Sequence, residues 1–292
     1  MRLQAPMTAS ISGLSELADG YGAIICDIWG VLHDGHQAFA PACEALIRYR
    51  ECGHPVLLLS NAPRPHSSVR AMLERLSVPQ TAYDAILTSG DMTRSYLESQ
   101  PGARVFHLGP DRDLPLYDAL DVVLVPVEQA DLIVCTGPFN DETEVAEDYR
   151  ERCHEWSARR LPMLCANPDI VVERGPRLIP CAGAIAAVYS ALGGKVRYFG
   201  KPHSEAYRQA VSLLGMIGAD RRCKPAPILA IGDAIATDLK GAALNQIDAL
   251  FIAGGIHAAL AGKPGKLEMT ALEAAFAAAD VAPRAVMWRL SW

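Results

Sequence analysis

Residues 23–35 read AIICDIWGVLHDG, and the reading of the whole chain turns on them. Four residues with no polar break lead into Asp27, and Gly30 follows at once in a sharp turn. A short apolar run closed by a turn residue is the pattern of a strand buried on both faces of a parallel sheet. Asp27 then stands at that strand's carboxyl end, where a carboxylate can act as nucleophile or metal ligand, or can simply form a turn. Two residues on, where a second carboxylate would help with proton transfer, the chain has Trp29.

Working outward, runs of the same kind recur as PVLLLS, DAILTS, RVFHL, DVVLVPV, DLIVCT, PMLCAN, VRYFG, PILAIG and DALFIA. Helical segments lie between them. Residues 41–53 open with Pro41 and end in Gly53, the usual punctuation of a helix. Val69, Met72, Leu73 and Leu76 fall on one face of a helix over 67–76. Ser204 can cap a helix over 204–215 whose stripe is Tyr207, Val211 and Leu214. Alternation of buried strands and helices predicts an α/β fold with ligands beyond the strands' carboxyl ends. There are more strand-like runs than the five or six of one sheet. Residues 102–195, bracketed by SQPG and ALGG, therefore read as an inserted α/β domain, with 1–101 and 196–292 closing into one core. RAVMWRLSW, at 284–292, reads as a last edge strand with Trp288 and Trp292 packed on the core or on a partner subunit. Apolar exposure there would favour a homo-oligomer.

Composition excludes several classes. A net charge of -6 over 292 residues lacks the basic excess of a nucleic-acid binder. No apolar stretch reaches the roughly 18 residues of a membrane span, and the first twenty residues lack the apolar core of a secretory signal. The 8 cysteines contain no CxxC pair, so they read as small core residues in a reducing cytoplasm.

The strand ends form an ordered set. Asp27 follows AIIC, Ser60 and Asn61 close and follow PVLLL, Lys201 follows VRYFG, and Asp233 follows PILAIG with Asp238 five residues later. Carboxylates gather around a hard cation such as Mg²⁺, which one or two of them hold together with phosphate oxygens and water. Lys201 and the Ser60 hydroxyl suit a phosphate, and an aspartate can attack phosphorus and split hydrolysis into two steps. Singly, each residue is as well explained as a cap, a turn former or a solvated charge.

Together they resemble the haloacid dehalogenase (HAD) superfamily. DIWGVL resembles its DxDGVL, Ser60-Asn61 its second motif, GKP (200–202) its third and GDAIATD (232–238) its fourth. The large insertion, with ANPD (166–169) and CAGAIAAVYSALGG (181–194), is similar to the class IIA branch, which holds NagD-like and 4-nitrophenylphosphatase-like sugar phosphatases. The resemblance implies a Rossmann-like core with an inserted cap that chooses the substrate. It implies Asp27 as nucleophile and metal ligand, Ser60 and Asn61 on the phosphoryl group, and Lys201 neutralising charge. Asp233, Asp238 and the backbone carbonyl of Trp29 would join Asp27 around Mg²⁺. Asn167 and Asp169, with Asn140 and Arg174, lie in the polar cap stretches that could read a leaving group; loop and N-cap duty is the alternative for each.

Trp29 departs from the family pattern, whose second aspartate serves as general acid and then base. His33 and Asp34 are the nearby replacements, although Asp34-Gly35 is also a hairpin turn signal. Trp29 itself is either packing or a platform for the substrate. The sequence leads to a Mg²⁺-dependent phosphohydrolase of a small phosphorylated metabolite, a sugar phosphate or a nucleotide. Two rivals stay open: a phosphometabolite-binding or regulatory protein of the same fold with weakened catalysis, and another phosphoryl or carbon–halogen transfer.

Overall fold

The computed structural model of the chain describes residues 8–174, 177–220 and 226–292, without the side chains of residues 173, 174, 219 and 220. In chain order the strands are β1 (Ala9–Ser10), β2 (Ala23–Cys26), β3 (Val56–Ser60), β4 (Ala85–Thr88), β5 (Ala103–Leu108), β6 (Val122–Leu124), β7 (Leu132–Cys135) and β8 (Met163–Cys165). They continue with β9 (Val171–Arg174), β10 (Arg177–Pro180), β11 (Val196–Tyr198), β12 (Ile228–Gly232), β13 (Asp248–Ile252), β14 (Gly262–Lys263), β15 (Lys266–Leu267) and β16 (Ala285–Met287). The chain divides into two compact units, one of residues up to 59 with 72–86 and 207–292, the other of 60–71 and 87–206.

The first unit is built on a sheet ordered β1-β16-β13-β12-β2-β3-β4. From β1 to β3 every neighbouring pair is parallel. All four residues of β2 are buried, as the unbroken apolar run requires of a strand covered on both faces. The chain runs outward from β2 through β3 and β4 on one side, and from β12 through β13 and β16 on the other. The direction reverses between β2 and β12, and a crevice at the carboxyl ends of such a switch point is where open α/β sheets bind ligands. One expectation fails here. β16 is an inner strand, because the two residues of β1 pair with its outer side as Ala9↔Ala285 and Ser10↔Val286. So short a strand, both residues exposed, carries no hydrophobic signature from which to foresee it.

The second unit has a parallel sheet ordered β11-β8-β7-β5-β6 and a separate antiparallel hairpin, β9 with β10. The helices Arg150–Ala158 and Ala182–Ala191 bring Cys153, Trp156, Ile185 and Tyr189 into one buried cluster with Ile133, Cys135, Met163 and Cys165 of the strands. VRYFG does not join the core sheet as the sequence suggests; Val196, Arg197 and Tyr198 of β11 pair with Met163, Leu164 and Cys165 of β8. A half-buried three-residue strand with a central Arg is an edge strand, and hydrophobicity alone does not say of which sheet.

Candidate active site

At the switch point of the first unit three buried carboxylates converge. Asp27, Asp233 and Asp238 each offer an oxygen within 4.8 Å of the others', and they are 8%, 7% and 5% exposed. Asp27 leaves β2 with its N–H donating to the Ile231 carbonyl of β12 at 2.8 Å, which fixes the two strand ends side by side. One oxygen of Asp233 accepts from the Ile256 N–H at 2.9 Å. One oxygen of Asp238 accepts from the Ala234 N–H at 3.1 Å, from within a single π-helical turn, Ile235–Leu239. That turn is braced by His257, whose Nε2 accepts from the Ile235 N–H at 3.3 Å and whose burial lowers its proton affinity.

Backbone crowds the trio closely. A Cβ on Gly30, where φ is 79°, would stand 2.0 Å from an Asp233 oxygen, and one on Gly255 would stand 1.9 Å from the same atom. Only glycine fits either position. Gly255 and the Ile256 N–H were not foreseen, although the glycine pair directly after DALFIA was the available signal.

The donor set fits a hard divalent cation. All three side-chain donors are carboxylate oxygens, and ligands on opposite sides of a Mg²⁺ ion lie about 4.2 Å apart when each bond is about 2.1 Å. Three acids this close and this buried repel one another unless a positive charge offsets them. Among the described residues no other group of His, Cys, Asp or Glu converges in this way.

The residues around Trp29 form a compact loop. The Gly30 N–H donates to the His33 carbonyl at 2.8 Å, and Phe39 N–H to the Leu32 carbonyl at 2.7 Å. The Trp29 ring meets the His33 ring edge-on, with centroids 4.9 Å apart and an interplanar angle of 77°. It also lies against Gly35, where a Cβ would come within 2.7 Å of the indole. Both of these ring contacts are within its own loop, and the residue is only partly buried.

His33 is fully buried; its Nδ1 accepts from the Gly35 N–H at 3.0 Å, which leaves the hydrogen on Nε2. That Nε2 has no hydrogen-bond partner among the described residues. Burial lowers the His33 pKa to about 4, against the pull of Asp34. Asp34 spends one oxygen on the N–H groups of His36 and Gln37, both at 2.9 Å. Burial raises its pKa, but these backbone bonds outweigh that and hold it below the usual carboxylate range.

The phosphate candidates belong to the second unit. Ser60 is half-buried, and its Oγ accepts from the Ala62 N–H at 3.2 Å. Asn61 is 4% exposed and committed on both ends. Its Oδ1 accepts from the Lys201 N–H at 2.7 Å and from the Ser89 hydroxyl at 3.4 Å. Its Nδ2 donates to the Lys201 carbonyl at 3.0 Å and to Asp169 Oδ1 at 2.9 Å. The Asn61 side chain thus ties together the Lys201 turn and the loop after β8. Asn167 turns that loop, its Oδ1 accepting from the Asp169 N–H at 3.1 Å. Asn140 serves its own turn, accepting from the Glu142 N–H at 3.0 Å. The Arg174 side chain lies outside the described residues. Ser89 and Arg64 were missed by the sequence reading: Ser89 closes DAILTS, where Thr-Ser before Asp91 reads only as a helix start, and Arg64 lies four residues beyond the end of its strand.

No disulfide joins the described cysteines, six of which are buried, and Cys223 lies outside the described residues. No described helix is long and apolar enough to cross a membrane.

Comparison with known proteins agrees with this geometry. Residues 24–122 match a family model described as haloacid dehalogenase-like hydrolase, and 198–281 match one described as HAD-hydrolase-like. A solved hydrolase of the haloacid dehalogenase-like family from Brucella suis 1330 is 45% identical, covers 96% of this chain and 99% of its own, and superimposes with a TM-score of 0.84. A D-glycerol 3-phosphate phosphatase of Mycobacterium tuberculosis is 27% identical over 257 residues, 84% of this chain and 67% of that one. A 5'-nucleotidase of Bacillus subtilis is 22% identical over 238 residues, 81% of this chain and 88% of that one. The chain belongs to the haloacid dehalogenase-like hydrolase family.

Proposed function

We propose that this hydrolase is a Mg²⁺-dependent phosphatase of small, polar phosphate monoesters, with Asp27 as its nucleophile. The observation that carries the reading is the convergence of Asp27, Asp233 and Asp238 at the switch point of the core sheet. The names of the M. tuberculosis and B. subtilis relatives support phosphate esters of polyols or nucleosides as the substrate class.

Asp27, Asp233 and Asp238 would hold the cation, which when bound supplies positive charge against the phosphate oxygens. An Asp27 oxygen attacks phosphorus, the P–O bond to the leaving group breaks, and an aspartyl-phosphate forms on Asp27. Water then attacks that phosphorus, releasing inorganic phosphate and restoring the carboxylate. Lys201 and Ser60 serve the phosphoryl group by charge and hydrogen bonding, while Asn61 positions the Lys201 turn rather than touching phosphate.

The leaving oxygen still needs a proton, and Trp29 has none to give. His33 is buried and neutral, and Asp34 is an anion held by backbone N–H groups. The proton therefore comes from water, and the rate forgoes the roughly 10²–10⁴-fold of general acid–base help. Esters with good leaving groups suffer least.

The test is phosphate release from glycerol phosphate, sugar phosphates, 5'-nucleotides and an aryl phosphate, with and without Mg²⁺. The expected result is Mg²⁺-dependent release that Asp27→Asn abolishes and Trp29→Asp accelerates. Release that survives Asp27→Asn removes Asp27 as nucleophile. A parent that releases nothing while Trp29→Asp does so would favour the second reading, suggested by Trp29 itself, of a binding protein with disarmed chemistry.

A further inference from the structure

The second unit contains a connection that neither the family motifs nor the proposed chemistry calls for. Asp113 sits in the turn of 3₁₀ helix Asp111–Tyr117 that follows β5, and it is 3% exposed. Its Oδ1 lies 3.7 Å from Nε of Arg64, four residues after Ser60. Burial raises the proton affinity of this carboxyl, and Arg64 is the first of the groups that oppose the rise, followed by Arg112, Thr136 and His107. An acid so placed loses the first of these offsets if the guanidinium is removed.

The same segment is held elsewhere by its backbone. The Arg64 carbonyl accepts from the Thr88 hydroxyl at 2.8 Å, and the Ala62 carbonyl accepts from the Gly90 N–H at 3.0 Å. These bonds come from the start of the helix Ser89–Glu98. The side chains of Asn61 and Arg64, by contrast, reach acids at the carboxyl ends of two strands of the second sheet: Asp169 after β8 and Asp113 after β5. Those acids are themselves fixed. The Asp113 N–H donates to the Pro110 carbonyl at 3.0 Å, and the Asp169 carbonyl accepts from the Gly183 N–H at 3.1 Å. Arg112, next to Asp113, pairs with the buried Asp141 of the loop after β7. The turn carrying Asp113 is therefore anchored across the switch point of its own sheet, where β6 lies to one side of β5 and β7 to the other.

We propose that Asp113 is a positioning residue: with Asp169 it grips Arg64 and Asn61 and so sets the geometry of the Ser60–Ala62 segment. Side chains of the second unit then hold its own Ser60–Ala62 segment, the proposed phosphate-binding segment. The kinetic consequence rests on the phosphatase reading; the mechanical one does not.

Asp113→Asn, Asp113→Glu and Arg64→Lys in the full chain test it, with two readouts. Amide hydrogen exchange is followed at Ala62 and Gly90, with Ile133 of β7 as the internal control. Turnover of an aryl phosphate with Mg²⁺ gives kcat and KM. Asp113→Asn should speed exchange at Ala62 and Gly90 while Ile133 keeps its rate. It should also lower kcat roughly 10- to 100-fold with little change in KM, the size expected when a reacting group is misplaced by about an ångström. Asp113→Glu, which restores the charge, should recover part of kcat. Arg64→Lys, which keeps the charge but not the guanidinium, should give a smaller loss of the same kind and carries the test if Asp113→Asn does not fold. Unchanged exchange at Ala62 and Gly90 overturns the proposal. So does faster exchange with kcat intact, which would make the pair structural only. A parent that releases no phosphate refutes the phosphatase reading instead, and the exchange readout alone then decides whether the grip exists.

Discussion

At the scale of single residues, His33 shows how burial settles a role. A histidine four residues after a missing acid is a natural replacement on sequence grounds, yet its ring is sealed beneath Trp29 and hydrogen-bonded to Gly35. The consequence is measurable. In the unfolded chain His33 takes a proton near pH 6.5, but in the folded protein only near pH 4. The unfolded state therefore binds more protons across that window, so stability is full at pH 7 and falls as the pH drops towards 4. At pH 5 the loss from this one residue is roughly 2 kcal/mol. Urea unfolding at pH 7 and pH 5 should show the parent losing about that much more than His33→Gln. Equal losses would mean that His33 is not desolvated in this way.

At the scale of elements, β11 explains how an edge strand carries an important residue. Its central Arg197 lies over the Tyr96 ring at 4.5 Å and near the Phe199 ring at 5.4 Å, while the two rings are 5.7 Å apart. This cation–aromatic stack ties the strand preceding Lys201 to the helix Ser89–Glu98, the same helix whose start holds Ala62 and Arg64. Arg197 is exposed, so its removal should cost only about 0.5–1 kcal/mol. Arg197→Met, which retains the stem's packing, checks this in urea unfolding; a loss several times larger would show that the stack organises more than β11. The hairpin of β9 and β10 went unread because each of its strands is only four residues long, too short for a clear alternation.

At the scale of the whole molecule, the proposed cation site predicts that stability depends on Mg²⁺. A ligand bound only by the folded state adds about 2.7 kcal/mol when present at a hundred times its dissociation constant. Mg²⁺ should therefore raise the unfolding midpoint, and Asp27→Asn should shrink that rise while leaving the metal-free midpoint equal or higher, since it removes one of three mutually repelling charges. A midpoint indifferent to Mg²⁺ in the parent would argue against a cation at this place.

What the sequence determined by itself follows from local physics. AIIC and ILAIG, unbroken apolar runs, are inner parallel strands with Asp27 and Asp233 just beyond their carboxyl ends, whereas DVVLVPV, a run of the same kind, forms the exposed edge strand β6. The helical face of Val69 and Leu73 was legible as well, both being fully buried in the helix His66–Arg75. Tertiary structure decided what depends on partners distant in the chain. Whether VRY joins one sheet or the other turns on which edge it meets, and the exposed pair Ala9–Ser10 becomes a strand only because β16 offers one. That the Asn61 side-chain amide joins Lys201, 140 residues away, to Asp169 is visible only in the fold. The lowered proton affinity of His33 is likewise decided by the fold, because a side chain's charge state is set by what surrounds it and not by its neighbours in sequence.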